Sequence, residues 1–176
     1  ATPPGILSGN VKAIGNVVEA ANFRLTEVVD EPTAAASVLD IRDGAVVDVG
    51  GGTTGISILK DGKVIFTDDE PTGGTHMTLV LAGFHGCTTQ EAEVMKRDPA
   101  QESNVFPVVK PVVEKMASIV QRCLMKHPVE TVYVVGGACC FTEFERVFEK
   151  CLGIPVRKPA APLLVTPLGI AMNCKM

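Results

Sequence analysis

The stretch "AVVDVGGGTTGISILKDGKVIFTDDE", Ala45 to Glu70, decides the fold. Gly50, Gly52 and Gly55 spell G-x-G-x-x-G after an apolar run, with acidic residues about twenty positions later, the form of a dinucleotide-binding fingerprint. That fingerprint works because its glycines carry a strand into a helix whose N-terminus faces a pyrophosphate. Here the glycines lead into a second strand. Ala45 to Val49 is an apolar strand and Ile56 to Leu59 another, and Asp61-Gly62 is a strong hairpin signal leading into Val64 to Thr67. The three runs predict an antiparallel meander, so the literal motif is a decoy, and Asp68, Asp69 and Glu70 end a strand rather than bind a ribose.

A turn of three glycines, Gly50, Gly51 and Gly52, followed by Thr53 and Thr54, lets backbone N–H groups converge on an anion, with the hydroxyls as further donors. Asp48, on the strand just before, is then in position to hold a hydrated magnesium ion or to orient a water beside phosphates. A glycine hairpin without a ligand fits these residues equally well. Gly136-Gly137 follows a continuous apolar strand, Val132 to Val135, at a strand-to-helix junction where side chains would obstruct a ligand lying against the backbone. Simple turn chemistry explains that pair too. Glu93, Lys96 and Arg97 lie on a helix spanning Thr89 to Arg97 with Thr88 or Thr89 as its cap, for which an exposed charged face is the alternative.

Around this centre the period is helical. Val11, Ile14, Val17, Val18 and Ala21 predict an amphipathic helix with Ser8 as N-cap, Arg24 to Val29 a short strand, and Pro32 with its alanines a second helix. Helices are expected at Met77 to Ala82, at Pro111 to His127 after a polar connection from Asp98 to Asn104, at Phe141 to Leu152 and at Thr166 to Asn173, with a strand at Pro155 to Arg157.

The bulk numbers narrow the function. The chain has 176 residues, 46% of them apolar, and a net charge of -4, with no run of Lys and Arg. Nucleic acid and anionic membrane are therefore not expected partners, no apolar run is long enough to span a bilayer, and a cytoplasmic location is expected. Six cysteines, Cys87, Cys123, Cys139, Cys140, Cys151 and Cys174, contain no C-x-x-C pair and read as reduced, buried thiols rather than a metal site or disulfide framework.

The order of meander with a Gly-Gly-Gly-Thr turn, helices, strand with Gly-Gly, helix, strand and helix resembles the second half of the actin-like ATPase superfamily, which includes the seventy-kilodalton heat-shock chaperones and sugar kinases. "DVGGGTTGIS" resembles its second phosphate motif, "VYVVGGACC" its adenosine motif and "VVDEPTAAA" the segment joining its halves. "DEPTGGTHMTLVLAG", "EAEVMKR", "VKPVVEKMASIV" and "LLVTPLGIAM" are similar to the branch tied to bacterial ethanolamine utilisation, chaperone-like proteins encoded with a microcompartment.

The resemblance implies an α/β, ribonuclease H-like lobe: a mixed sheet with a three-strand meander and flanking helices. It implies the tail of a first lobe at 1–41 and a second lobe at 42–176. It makes ATP and Mg the expected cofactors, with Asp48 the magnesium-side and water-orienting carboxylate and Glu31 a second carboxylate near the hydrolytic centre. Gly50, Gly51, Gly52 and Thr53 match the phosphate turn, Glu93, Lys96 and Arg97 the edge of the adenosine pocket, and Gly136 and Gly137 its floor.

Departures are Gly55 where the chaperones carry a second Asp, Ala138 to Cys140 where they carry a hydroxyl and an Arg, and Leu163 where they carry an acid. The first phosphate hairpin has no counterpart before Ala1, and "ATPPG" resembles a late strand of the first lobe, so this stretch alone is expected to hydrolyse ATP weakly or not at all, any weak ATPase activity belonging to the full-length protein. The implied function is an ATP-binding chaperone or assembly factor acting on a client protein of ethanolamine catabolism or of the microcompartment. A non-catalytic actin-related scaffold is the alternative, and a sugar kinase, which needs a base this chain does not offer, comes last.

Overall fold

Alternation of side chains along the strands explains the centre of the molecule. In the computed structural model, which describes residues 1–173, the meander forms as β1 (Gly44–Val49), β2 (Thr54–Lys60) and β3 (Lys63–Glu70). β1 and β2 are antiparallel, as are β2 and β3. Asp61 and Gly62 turn the hairpin at φ +53° and +75°, the backbone that matches the twist of paired strands. The Asp61 N–H donates to Asp43 Oδ1 (3.0 Å) and the Gly62 N–H to the Arg42 carbonyl (2.9 Å), which ties this turn to the chain entering β1. β4 (Val132–Val135) adds parallel to β1, and β5 (Val156–Arg157) parallel to β4, giving the mixed order β3-β2-β1-β4-β5.

Each face of the sheet buries its own core. Ala45, Val47 and Val49 of β1, with Ile56 and Ile58 of β2, face α3 (Gly74–His85), α5 (Glu102–Leu124) and α6 (Phe144–Leu152), where Met77, Leu81, Met116, Phe144 and Phe148 are fully buried. A fully buried side chain of this size contributes about 1.5–3 kcal/mol relative to exposure. The alternate residues Val46, Leu59 and Val135 face α2 (Glu31–Val38) and α7 (Pro162–Met172), where Ala35, Ala36 and Val165 cover them. Period-two alternation puts Asp48 on this second face, beside Val46. α2 and α7 pack so closely that a Cβ on Gly169 would strike the Ala34 carbonyl. α4 (Thr89–Arg97) lies beyond α3.

Several expectations fail for physical reasons. α5 begins at Glu102, not Pro111, and carries Pro107 and Pro111 inside it. Each proline removes one ladder N–H, but Val105, Phe106 and Val109 are buried on the same stripe, and that burial carries the helix through both. A 3-10 turn at Gly137–Cys139 precedes α6, which starts at Phe144 rather than Phe141. α1 (Ser8–Ala20) includes Ser8 inside the helix, after Leu7, and no side chain caps it. Its apolar stripe stays outside: Val17 is 70% exposed and only Gly15 is buried. Arg24 to Val29 forms no strand: among the described residues its backbone pairing is limited to the Val29 carbonyl, which accepts the Thr2 N–H (3.0 Å) beside the isolated Thr2–Asp30 bridge.

Cys87, Cys123, Cys139, Cys140 and Cys151 are free thiols, but Cys140 is exposed rather than buried, and Cys87 and Cys151 are half-buried. Cys174 lies outside the described residues. Among the described residues no helix is long and apolar enough to cross a membrane.

Candidate functional site

The glycine turn after β1 is held from outside. The Gly50 N–H donates to the Thr53 carbonyl (3.0 Å), and the carbonyls of Gly50 and Gly51 accept the N–H groups of Gly74 (2.9 Å) and Thr75 (2.7 Å). The turn thus satisfies two of the donors that the start of α3 leaves unpaired. Gly73 has to be glycine: a Cβ there would lie 2.7 Å from both the Gly51 carbonyl oxygen and the Thr53 nitrogen. The N–H groups of Gly51 and Gly52 meet no acceptor among the described residues, and a Cβ on either would have nothing within 4 Å. None of the three turn glycines has positive φ. Glycine therefore leaves room above the turn rather than relieving backbone strain.

α4 forms the next wall. Its entry is fixed by a reciprocal cap, in which Glu91 N–H donates to Thr88 Oγ1 (3.2 Å) and Thr88 N–H to Glu91 Oε2 (2.9 Å). That cap directs Glu93, Lys96 and Arg97 to the cleft. Lys96 is no exposed charge: its side chain is 11% exposed, and Nζ reaches Glu93 Oε2 (2.6 Å), Thr78 Oγ1 (2.7 Å) and the Gly74 carbonyl (2.9 Å). All three ammonium donors are used, and they strap α4 to the start of α3. Burial alone would raise the Glu93 carboxyl, but the hydrogen bonds from Lys96 and Thr78, with the Lys96 and Arg97 charges, hold it below the usual range. Arg97 makes no hydrogen bond or salt bridge among the described residues.

The opposite wall starts where β4 ends. Gly136 sits at φ +94°, where a Cβ would strike Asp48 Oδ1 and the Val49 carbonyl, and its N–H donates to the Pro162 carbonyl (3.0 Å). Between these walls, at the carboxyl ends of β1 and β4, lies a cavity of about 510 Å³. This is where strand order changes direction, the usual ligand crevice of an open α/β sheet. Gly50, Gly51 and Gly74 line one end, Glu93, Lys96 and Arg97 one side, and Gly137 the floor; the remainder is Asp98, Pro99, Glu102, Ala138, Cys140, Phe141 and Leu163. Gly52, Thr53 and Gly136 adjoin this lining without forming part of it.

Asp48 and Glu31 stand apart from the cavity, on the α2 and α7 face. Asp48 is 7% exposed; Thr166 of α7 donates its hydroxyl to Oδ2 (2.6 Å), and no hydrogen bond reaches Oδ1 among the described residues. Burial pushes the Asp48 carboxyl up, and the Thr166 bond offsets part of that. Glu31, at the start of α2, is raised by burial first and then by the charges of Asp48, Asp69 and Asp30. Asp69 is raised by burial against a hydrogen bond from Thr53, and its Oδ1 is buried without a hydrogen-bond partner. Among the described residues no three such groups converge closely enough to ligate a metal by themselves, so a cation here needs waters or a ligand to complete its shell. A side chain at Gly55 would be crowded, because Pro4 and Pro32 each stand 3.3 Å from where its Cβ would be and would have to give by a few tenths of an ångström.

Thr166, Gly73, Gly74, Thr78 and Glu102 are site residues the sequence reading did not single out. Of these, only the Gly73-Gly74 doublet carried a local signal, a pair like Gly136-Gly137.

Residues 45–169 match the family described as cell division protein FtsA. The chain belongs to that family, within the actin-like ATPase superfamily. Ethanolamine utilization protein EutJ of Salmonella typhimurium (strain LT2) is 45% identical over 157 residues, 89% of this chain and 56% of that protein. The crystal structure of EutJ from Carboxydothermus hydrogenoformans superposes with a TM-score of 0.90 at 50% identity, over 97% of this chain and 63% of that one. MreB 5 of Spiroplasma citri, solved bound to AMPPNP, shares the fold, with a TM-score of 0.80 at 15% identity over 97% of this chain and 65% of its own. The chain spans about half the length of the curated relatives it matches.

Proposed function

We propose that this chain carries one half of an ATP-Mg site in an actin-like chaperone or assembly factor serving ethanolamine utilisation. The observation that carries the reading is the cavity at the ends of β1 and β4, where Gly50, Gly51, Gly74, Glu93, Lys96, Arg97 and Gly137 meet. The free N–H groups of Gly51 and Gly52 receive phosphate oxygens, as a nest of backbone donors does. Arg97 supplies the mobile positive charge, and Lys96 keeps α4 in place. Asp48 is the protein ligand of a magnesium ion that otherwise keeps waters and phosphate oxygens, and its free Oδ1, the mutual repulsion of Glu31, Asp48 and Asp69 and the unpartnered Asp69 Oδ1 suit a cation there. Bound ATP-Mg would supply the charge and contact energy that draw two lobes together around a client protein; residues 1–41 would belong to the first lobe and 42–176 to the second.

A nucleotide-binding scaffold without turnover is the second reading, favoured by Gly55, crowded by Pro4 and Pro32, standing where a second carboxylate would serve hydrolysis. Calorimetric titration of the full-length protein tests the site. ATP-Mg is expected to bind, and Gly51→Val to weaken it at least tenfold, about 1.4 kcal/mol, with thermal unfolding unchanged because no atom crowds that Cβ. Unchanged affinity in a folded Gly51→Val protein would leave the turn a plain hairpin. Measurable ATP hydrolysis that disappears with Asp48→Asn would exclude the scaffold.

A further inference from the structure

The cavity is polar at its glycine end and apolar at the other. Ala138 lies against Gly74 and Leu163 against Gly137, and beyond Arg97 the lining continues with Pro99, Cys140 and Phe141, a surface for a flat aromatic base rather than for phosphates. Two carboxylates border this apolar end. Asp98 is exposed, and its Oδ1 accepts the Ala100 N–H (2.9 Å). Glu102 is half-buried, and its Oε1 accepts the Thr142 N–H (2.5 Å), next to Phe141. That bond fixes the side chain and leaves Oε2 without a hydrogen bond among the described residues. Glu102 is also the first residue of α5. An ionised carboxylate only accepts.

We infer that Glu102 is the residue that selects the base, accepting a hydrogen bond through Oε2 from the exocyclic amino group of a 6-aminopurine. The inference rests on the nucleotide reading above. An adenine presents an N–H donor to Oε2. A 6-oxopurine presents an acceptor at the same place, which the carboxylate repels. The apolar lining contributes stacking area but no preference among purines, so discrimination falls to this one side chain.

Titration of the full-length protein with two magnesium triphosphates tests it: ATP, and purine riboside 5′-triphosphate, which lacks only the 6-amino group. ATP is expected to bind roughly tenfold or more tightly, the worth of one hydrogen bond to a charged group. In Glu102→Gln the amide oxygen still accepts from Thr142, but the other arm becomes a donor. The advantage of ATP should then shrink to about twofold or less, and inosine triphosphate should gain relative to ATP. Equal binding of ATP and the deamino analogue by the wild type overturns the inference, with or without a folded variant. So does a tenfold preference that survives Glu102→Gln. If neither triphosphate binds the wild type, the nucleotide reading itself falls, a result distinct from equal binding.

Discussion

Replacing Gly136 by alanine tests the junction that joins the cavity to Asp48. At φ +94° an L-residue is strained by about 1–3 kcal/mol. The added methyl would also overlap Asp48 Oδ1 and the Val49 carbonyl, and overpacking of a closed site costs a further 1–3 kcal/mol or so. Neither neighbour moves freely, because Asp48 is held by Thr166 and Val49 pairs with Thr54 in the sheet. A loss of about 3–5 kcal/mol is expected, which for a chain of this size lowers Tm by about ten degrees. Urea unfolding followed by circular dichroism reads it directly, with Gly52→Ala as the control, because a Cβ there has nothing within 4 Å. That control should stay within about 0.5 kcal/mol of wild type. A Gly136→Ala loss below about 1 kcal/mol, or an equal loss in Gly52→Ala, would refute the account of the junction.

Two further outcomes follow from the charges. The folded protein raises the Asp48 carboxyl above its ordinary 3.8, so wild type is favoured while the group is protonated and loses that advantage as pH rises through the raised value. Asp48→Asn should therefore be about 1 kcal/mol more stable than wild type at neutral pH and no more stable near pH 3, by thermal melts across that range; a gap of the opposite sign would show the carboxylate to be stabilised by its surroundings. Lys96→Met should lose about 1–2 kcal/mol at neutral pH, discounted for the exposure of Glu93. Because Glu93 is held below its ordinary 4.5, the deficit should narrow as pH falls past that value, and a deficit independent of pH would mean that packing alone is lost.

The meander was legible because its signals are local: alternation over a few residues and an Asp-Gly turn whose backbone demands left-handed φ. The start of α5 was not, since Pro111 read as a first helical residue while the burial that carries the helix through Pro107 and Pro111 depends on the facing sheet and α6. The stripe on α1 and the run from Arg24 to Val29 carry the right periods, but a period only states that a surface wants cover, and among the described residues the cover is thin: Leu25 lies against Gly15 while Val17 stays 70% exposed. In the site, the glycines declared themselves by composition. The partner that orients Asp48 did not, for Thr166 lies 118 positions away and looks like any hydroxyl near a proline. Lys96 looked like surface charge because only the fold brings Thr78 and the Gly74 carbonyl to its ammonium group.

The tight crossing of α2 and α7, with Gly169 against the Ala34 backbone, sets a schedule for synthesis. Val46 leaves the ribosome about 120 residues before Val165, the α7 side chain that helps cover it, on the order of ten seconds at 5–20 residues per second. During that interval the α3, α5 and α6 side of the sheet can close completely while Leu59 and Val135 wait on the other side beside α2 alone. A nascent chain of this protein thus presents a half-covered strip of aliphatic sheet to whatever surrounds the tunnel exit. The glycine that finally lets α7 seat is among the last of the described residues to be made.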